Sequence, residues 1–221
     1  MKKQITQVSI EDLEQNPTIC PDIEDVFALL PSPLQAHCLR VGKSMPLIVK
    51  YAPYLVDTYR FKDMDELQCA AYSGGIHHDI GKAITSAQFS SSVFERVSHP
   101  ILGRAYFDLN IANFDYDEAK NMILRDIISY HHERQDGKGI PYGKCGTEIP
   151  LASAICSIAD MLDHLLLAPG RGRKRLDFDR ALIYIQSQLG VMFSGTAVSV
   201  FSEAKDELLA NYETYTREKA V

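Results

Sequence analysis

The residues of this sequence that could do chemistry are histidines and aspartates that fall on or beside apolar helical faces. The chain contains seven histidines. Groups of this kind occur on four separate predicted helices, at positions His37, His78, His131 and Asp160. Burial of imidazoles and carboxylates without partners costs several kcal/mol each, so we expect these groups to share a partner. A divalent metal would serve, because neutral imidazoles donate lone pairs and carboxylates supply negative charge.

The number of these groups indicates more than one ion. Asp79 follows His78 directly, and His132 follows His131, so each pair doubles the polar groups at its position. Such a set exceeds the ligands of one tetrahedral site. It suits two ions about 3.5–4 Å apart, which is the spacing found in two-metal hydrolases.

The elements that must position these groups are helices. Apolar residues recur at steps of three and four along six segments, which predicts helices over Leu34–Ile48, Leu67–His78, Ile123–His131, Leu151–Leu162, Phe178–Leu189 and Thr196–Asn211. Because no segment alternates with the period of a strand, the predicted fold class is all-α. Gly74 and Gly75 lie inside a predicted helix, where they are unfavourable unless two backbones approach closely. Three segments are predicted to be irregular, namely Thr85–Ser92, Asp136–Pro150 and Ala168–Arg175.

Length and composition narrow the classes of protein. A chain of 221 residues with 46% hydrophobic residues is long enough for one globular domain with a sizeable core. The net charge of −6 argues against binding of a nucleic-acid polymer, although not against a small phosphorylated ligand. No apolar run is long enough to span a bilayer, so we expect no membrane association.

Two further features concern the compartment and the domain boundary. The five cysteines have no CxxC spacing, which is typical of reduced thiols and predicts a cytoplasmic protein. Residues 1–25 carry few apolar positions and are expected to form an arm or a short helical lead-in. The domain itself is predicted to span residues 26–221.

Four motifs in this chain occur in a fixed order. They are His77–Lys82, His99–Gly103, His131–Pro141 and Ala159–Asp163. The first is similar to the HDxGK core of the HD superfamily of metal-dependent phosphohydrolases, and the second to its HPxxG element. The third resembles the HHExxDGxGYP signature of the HD-GYP subfamily, and the fourth matches the segment with that subfamily's metal-binding aspartate. On these motifs the chain is identified as a member of the HD-GYP subfamily.

The resemblance implies a single helical bundle with a dinuclear metal site among its helices. It implies a phosphodiesterase that hydrolyses cyclic di-GMP to pGpG or GMP, with a metal-activated hydroxide as the nucleophile. Carried over by position, the ligands of the first ion would be His37, His78, Asp79 and Asp160. The ligands of the second would be His99, His131 and His132, with Asp79 bridging the two ions. Lys82 would contact the scissile phosphate. Imidazole and carboxylate ligands favour iron or manganese.

The sequence departs from the subfamily pattern at the substrate side. Ile140 stands where the signature has its tyrosine, which removes an aromatic group from the pocket; Tyr142 is the nearest aromatic that could replace it. The resemblance assigns Arg171 and Arg173 to the second phosphate, because guanidinium groups bind phosphate in a bidentate manner. Pro33 replaces a glutamate that holds a third ion in some members, so two ions are expected.

These departures leave two alternatives open. The pocket could accept another cyclic dinucleotide or a nucleotide monophosphate. The protein could also be a non-catalytic nucleotide receptor that acts through a signalling-protein partner, although the intact ligand set argues against this. Other polar groups near the motifs are expected to have structural roles: His77 to pack behind the site, Glu133 and Asp136 to organise their loop, and His164 to lie at the surface although it could reach the site.

Overall fold

Helices account for nearly all the regular structure of this protein. The computed structural model describes residues 23–85, 92–114, 116–167 and 174–218. The helices in these ranges are α1 (Ile23–Phe27), α2 (Ser32–Val49), α3 (Tyr54–Tyr59), α4 (Met64–His77), α5 (Gly81–Thr85), α6 (Ser92–Asn110), α7 (Glu118–Tyr130), α8 (Leu151–Leu166), α9 (Phe178–Ser187), α10 (Gly195–Glu203) and α11 (Lys205–Glu218). No β-strand occurs within the described ranges, so the prediction of an all-α fold is confirmed.

Side-chain caps fix the starts of several helices. Asp63 accepts a hydrogen bond from the Glu66 backbone N–H at the start of α4, at 3.0 Å. Asp117 caps α7 and Ser194 caps α10 in the same manner. Each such cap satisfies a backbone donor that has no partner within the helix and contributes about 1 kcal/mol. The caps on α4 and α7 therefore fix the starts of two helices whose C-terminal ends lead into the predicted metal ligands.

Helices α2 and α4 cross at close range. A Cβ atom added to Gly75 would lie 2.8 Å from the Cα atom of Gly42 on α2, so only glycine fits there. A Cβ atom on Gly74 would collide with the side chain of Ile127 on α7. The predicted close approach at the glycine pair is thus confirmed, and it holds α4 between α2 and α7.

The remaining helices extend the core from this crossing. Helix α7 also packs on α6 and α8, and α8 packs on α2, α9 and α10. The apolar side of α8 is fully buried, with Ile155, Ile158 and Leu162 at 0% exposure. Ile23 and Val26 of α1 are buried in the same core. The predicted boundary between an arm and the domain stays a prediction, because residues 1–22 lie outside the described part.

Four of the predicted helices are found as α2, α4, α7 and α8, and α9 ends slightly before the predicted residue. The single helix predicted over Thr196–Asn211 was wrong: α10 and α11 meet at Ala204, whose N–H bonds to the carbonyls of Val200 and Phe201. The periodicity of the sequence does not predict α3, α5 or α6. Asp136–Pro150 is irregular apart from one 3₁₀ turn at Gly146–Glu148, whereas residues 86–91 and 168–173 of the other two predicted irregular segments lie outside the described residues.

The length and the hydrophobicity of the helices bear on whether the chain crosses a membrane. Among the described residues, none of the helices combines the length and the apolar character that crossing a bilayer requires.

Candidate metal centre and adjoining pocket

The structure brings all seven predicted ligand residues to one place. The donors come from α2, the C-terminal ends of α4 and α7 with the residues that follow, and the middle of α6 and α8: His37, His78, Asp79, His99, His131, His132 and Asp160. Six of the seven are at most 7% exposed, and His132 is partly exposed. Residues distant in the sequence thus form one compact polar group inside an apolar core.

One cluster of donor atoms surrounds the carboxylate of Asp79. Its Oδ1 atom lies 3.0 Å from Nε2 of His99 and 3.6 Å from Nε2 of His131. The two Nε2 atoms are 3.3 Å apart. Nδ1 of His131 is 3.0 Å from the carbonyl of Ile127, and donation there leaves a lone pair on Nε2. With His132, these residues offer four ligand atoms within 4.8 Å of one another.

A second cluster forms around His37. Its Nδ1 atom lies 2.6 Å from Oδ2 of Asp163, and its Nε2 atom lies 3.0 Å from Oδ1 of Asp160. Nδ1 of His78 lies 2.8 Å from the carbonyl of Gly75, so its Nε2 atom turns towards Asp79. His37, His78 and Asp79 again offer ligand atoms within 4.8 Å of one another.

Buried nitrogen and oxygen atoms without hydrogen-bond partners indicate whether these clusters could bind a metal ion. Four buried side-chain atoms here have no hydrogen-bond partner: His37 Nε2, His78 Nε2, Asp79 Oδ1 and Asp160 Oδ1. Buried polar atoms without partners are rare, and a divalent cation would satisfy all four. Imidazole nitrogens with carboxylate oxygens are the donor set of Zn, Fe or Mn sites. The residues present therefore fit divalent metal ions.

The electrostatics of the clusters favours ionised carboxylates. Burial opposes ionisation of Asp79, but the charge of Lys82 and the contact with His78 hold its pKa well below the usual range. Burial likewise lowers the pKa of His132 well below the usual value, which keeps its ring neutral. Burial also acts to lower the pKa of His37, but the adjacent carboxylates of Asp160 and Asp163 raise it to about 10, so a cation bound there would take the place of a proton.

A pocket of about 520 Å³ opens over the metal centre. Lys82, Arg134 and Lys138 give it positive charge, and Ile140, Met192 and Phe193 give it an apolar wall. A pocket that combines basic groups with an apolar wall suits a ligand that has both phosphate and a flat heterocycle.

The loop after His132 forms one wall of this pocket and is held by a buried carboxylate. Oε1 of Glu133 accepts the N–H of Tyr142 at 2.7 Å, and Oε2 accepts the N–H of Lys144 at 2.9 Å. Asp136 accepts from the guanidinium of Arg134, which lowers its pKa to about 2 despite some desolvation. The expected structural role of these two acids is confirmed.

The predicted substrate contacts are placed in part. Lys82 and Ile140 line the pocket, and Nζ of Lys82 lies 2.5 Å from Oδ2 of Asp79. Tyr142 does not line it; its ring packs edge-on against Tyr130, and the residue is 51% exposed. It therefore does not replace the aromatic group absent at Ile140. Arg171 and Arg173 lie outside the described residues.

Four polar residues around the centre lie outside the predicted ligand set. Asp163 accepts from His37, and Arg40 pairs with Asp163 at 2.6 Å. Asp163 follows Asp160 by three residues on α8, and this helical spacing was the available signal. His164 is partly exposed, as expected, yet its Nε2 atom lies 3.2 Å from Oδ1 of Asp160. His77 packs behind the site, with Nδ1 2.9 Å from the carbonyl of Ser73 and its ring against Phe27.

Comparison with known proteins agrees with this architecture. The family model for the HD domain matches residues 119–196, which carry the His131–Pro141 motif and Asp160. The chain is 37% identical over 82 residues to the cyclic di-GMP phosphodiesterase response regulator RpfG of Xanthomonas campestris pv. campestris, covering 37% of this chain and 21% of the relative. It is 34% identical over 95 residues to a cyclic di-GMP phosphodiesterase of Thermotoga maritima, covering 42% and 24% of the two chains.

A third relative has a different named substrate. The 3′3′-cGAMP-specific phosphodiesterase 1 of Vibrio cholerae is 32% identical over 121 residues, covering 51% of this chain and 26% of the relative. The matched part thus spans about a quarter or less of each of these three proteins. The helical fold, the ordered motifs and these matches support a relation of the chain to the HD superfamily, and the relatives named as cyclic di-GMP phosphodiesterases support a resemblance to the HD-GYP subfamily.

Proposed function

We propose that this protein is a phosphodiesterase that uses two divalent metal ions to hydrolyse a cyclic dinucleotide, with cyclic di-GMP as the substrate and pGpG or GMP as the product. The observation that carries the proposal is the convergence of buried imidazole and carboxylate donors, four of their atoms without hydrogen-bond partners, at a pocket with basic and apolar walls. Relatives that are named as phosphodiesterases of cyclic dinucleotides support the choice of substrate class.

The ligand residues divide between the two positions that the donor clusters suggest. His99, His131 and His132 would hold one ion, and His37, His78 and Asp160 would hold the other. Asp79 lies in both clusters around these positions and would be the bridging ligand. When bound, iron or manganese ions lower the pKa of a coordinated water, so that a nucleophile is available near neutral pH.

Lys82 has the principal role at the reacting phosphate. Burial opposes its charge, but the carboxylate of Asp79 keeps its pKa above the ordinary value, so the ammonium group is protonated at neutral pH. It lines the pocket and can therefore donate to a phosphoryl oxygen as negative charge develops there. Its loss should reduce stabilisation of the transition state more than binding of the substrate.

Other residues of the pocket bind the parts of the substrate that do not react. Ile140 and Met192 offer apolar surface to a nucleobase. Arg134 and Lys138 line the same pocket and face the phosphates or sugars of the substrate. Arg171 and Arg173 are assigned to the second phosphate on the resemblance alone.

A second cyclic dinucleotide is the alternative substrate. Ile140 offers no aromatic face or hydroxyl group to a guanine, and one matched relative is named as specific for 3′3′-cGAMP. Loss of an interaction with one base changes the preference between dinucleotides without altering the chemistry at phosphorus. The two substrates differ in one base and can be compared under identical conditions.

The function is tested by replacement of the bridging carboxylate. Asp79→Ala should lose most of the bound metal and nearly all turnover, measured by elemental analysis and by chromatography of cyclic di-GMP, 3′3′-cGAMP and their products. Asp108→Ala is the control, because Asp108 pairs with Arg104 and Arg125 and does not line the pocket. Two bound ions and normal turnover in Asp79→Ala would contradict the proposal.

A further inference from the structure

His164 stands in a third group of donor atoms that the resemblance does not assign. His37, Asp160 and His164 each offer a ligand atom, and these atoms lie within 4.8 Å of one another. Nε2 of His164 is 3.2 Å from Oδ1 of Asp160, and Nε2 of His37 is 3.0 Å from the same oxygen. Two helices thus direct donors to a single point, α2 through His37 and α8 through two successive turns.

These distances are those of neighbouring ligands around one ion. With metal–ligand bonds of about 2.0–2.2 Å, two ligands at right angles lie about 3 Å apart. The separations at Asp160 fall in this range. The rings of His37 and His164 are stacked with their centroids 4.6 Å apart and their planes 27° apart, so both present the Nε2 edge to Asp160.

Two atoms of this group provide a second, independent observation. Nε2 of His37 and Oδ1 of Asp160 are buried and have no hydrogen-bond partner, although they lie 3.0 Å apart. Two metal-ligating atoms that lie this close without forming a hydrogen bond are expected where both point towards a shared metal ion. His164 closes this group on the solvent side, because its side chain is 45% exposed and lines the pocket.

We propose that His164 is a metal ligand, and that from the mouth of the pocket it completes the ligand set of the divalent transition-metal ion assigned to His37 and Asp160. Two imidazoles and one carboxylate select manganese, iron or zinc over magnesium and calcium, which prefer oxygen ligands. The proposal rests on the proposed function only in that metal ions bind in this pocket.

The competing role for His164 is a hydrogen bond that orients Asp160. Glutamine separates the two roles, since its amide can still donate to the carboxylate of Asp160 but is a poor ligand for a transition metal. We therefore compare His164→Gln and His164→Ala with the wild type. Because the side chain is nearly half exposed, neither change removes core packing, and the melting temperature of the metal-free proteins verifies this.

The probe is manganese(II), titrated into the metal-free 221-residue chain by calorimetry and by electron paramagnetic resonance. We expect both variants to lose at least tenfold in affinity at one class of site and to retain the other. Samples with ¹⁵N-labelled histidine should show one fewer nitrogen coupled to manganese in His164→Gln than in the wild type.

The outcomes distinguish this inference from the proposed function. Wild-type protein that binds no manganese would overturn both. Wild-type binding together with unchanged affinities and nitrogen couplings in His164→Gln would overturn only the ligand role of His164. His99→Ala is the matched variant for the other position, and it should weaken the class of site that the His164 variants retain.

Discussion

Nδ1 of His37 lies 2.6 Å from Oδ2 of Asp163, and this contact determines which ring nitrogen faces the metal centre. Burial works against ionisation of Asp163, but His37 and Arg40 keep its pKa below the usual value, so the carboxylate accepts. Tyr212 also donates to its other oxygen at 3.3 Å. Asp163 therefore orients a ligand without lying among the ligands, and removal of such outer contacts weakens metal sites about 10–100-fold.

Asp163→Asn tests this arrangement. The amide keeps the shape of the side chain but cannot compensate the charge of Arg40 at 2.6 Å, so we expect metal affinity to fall about 10–100-fold. Competition with a chelator measures the affinity. Asp126→Asn is the control, because Asp126 is partly buried and hydrogen-bonded, to Tyr59, but does not line the pocket. Equal metal affinity in Asp163→Asn and wild type would contradict the orienting role.

Glu133→Gln should loosen the loop that walls the pocket. Both carboxylate oxygens accept backbone N–H groups, and glutamine would turn an N–H₂ group towards one of them. An unsatisfied buried donor costs about 1–3 kcal/mol, which chemical denaturation would detect. We expect KM to rise as well. Glu148→Gln is the control, because Glu148 is exposed and lies at the far end of the same loop; a similar loss of stability there would mean that the Glu133 anchor is not special.

Ile140→Tyr should tighten the binding of cyclic di-GMP. The side chain lines the pocket, and stacking of a base on an aromatic ring is worth about 1–3 kcal/mol. The dissociation constant should therefore fall about tenfold, measured with metal-loaded protein. Ile140→Leu keeps the aliphatic character and serves as the control. No change in Ile140→Tyr would indicate that the bases lie elsewhere or that the ligand is different.

Lys82 and Arg173 should affect different kinetic constants. Lys82 lines the pocket beside Asp79, so Lys82→Ala should lower kcat steeply. The resemblance assigns Arg173 to the phosphate that is not cut, so Arg173→Ala should raise KM several-fold with little change in kcat. Metal content, checked first, should be unchanged in both variants. An unchanged KM in Arg173→Ala would contradict the assignment of Arg171 and Arg173 to the second phosphate.

The sequence predicts the site better than it predicts the limits of the helices. Spacing by three and four identifies the buried faces of α2, α4, α7 and α8, and the ordered motifs identify residues such as His99 that no periodicity indicates. It does not separate α10 from α11, because Ala204 is a good helix former and the break depends on packing. It also does not assign Asp163, since an aspartate one turn beyond Asp160 is equally compatible with an exposed position.

His164 shows where reasoning from the sequence alone becomes ambiguous. Its spacing from Asp160 permits a contact, but the same spacing occurs in ordinary surface pairs. The stacking of its ring on His37 and the 3.2 Å contact with Asp160 place the residue beside the centre. Packing between α2 and α8 produces this stacking, and periodicity within one helix contains no information about it.

The carbonyl of His132 accepts the N–H of Ile140 at 3.1 Å, which joins a proposed ligand to the wall of the pocket by one hydrogen bond. This bond offers a route by which nucleotide recognition and metal ligation would be linked. A nucleotide that binds against Ile140 and shifts this segment of the loop would change the affinity for an ion at His132, and by reciprocity the ion would change the affinity for the nucleotide by the same factor. The loading state of the centre would then be an allosteric input to substrate choice.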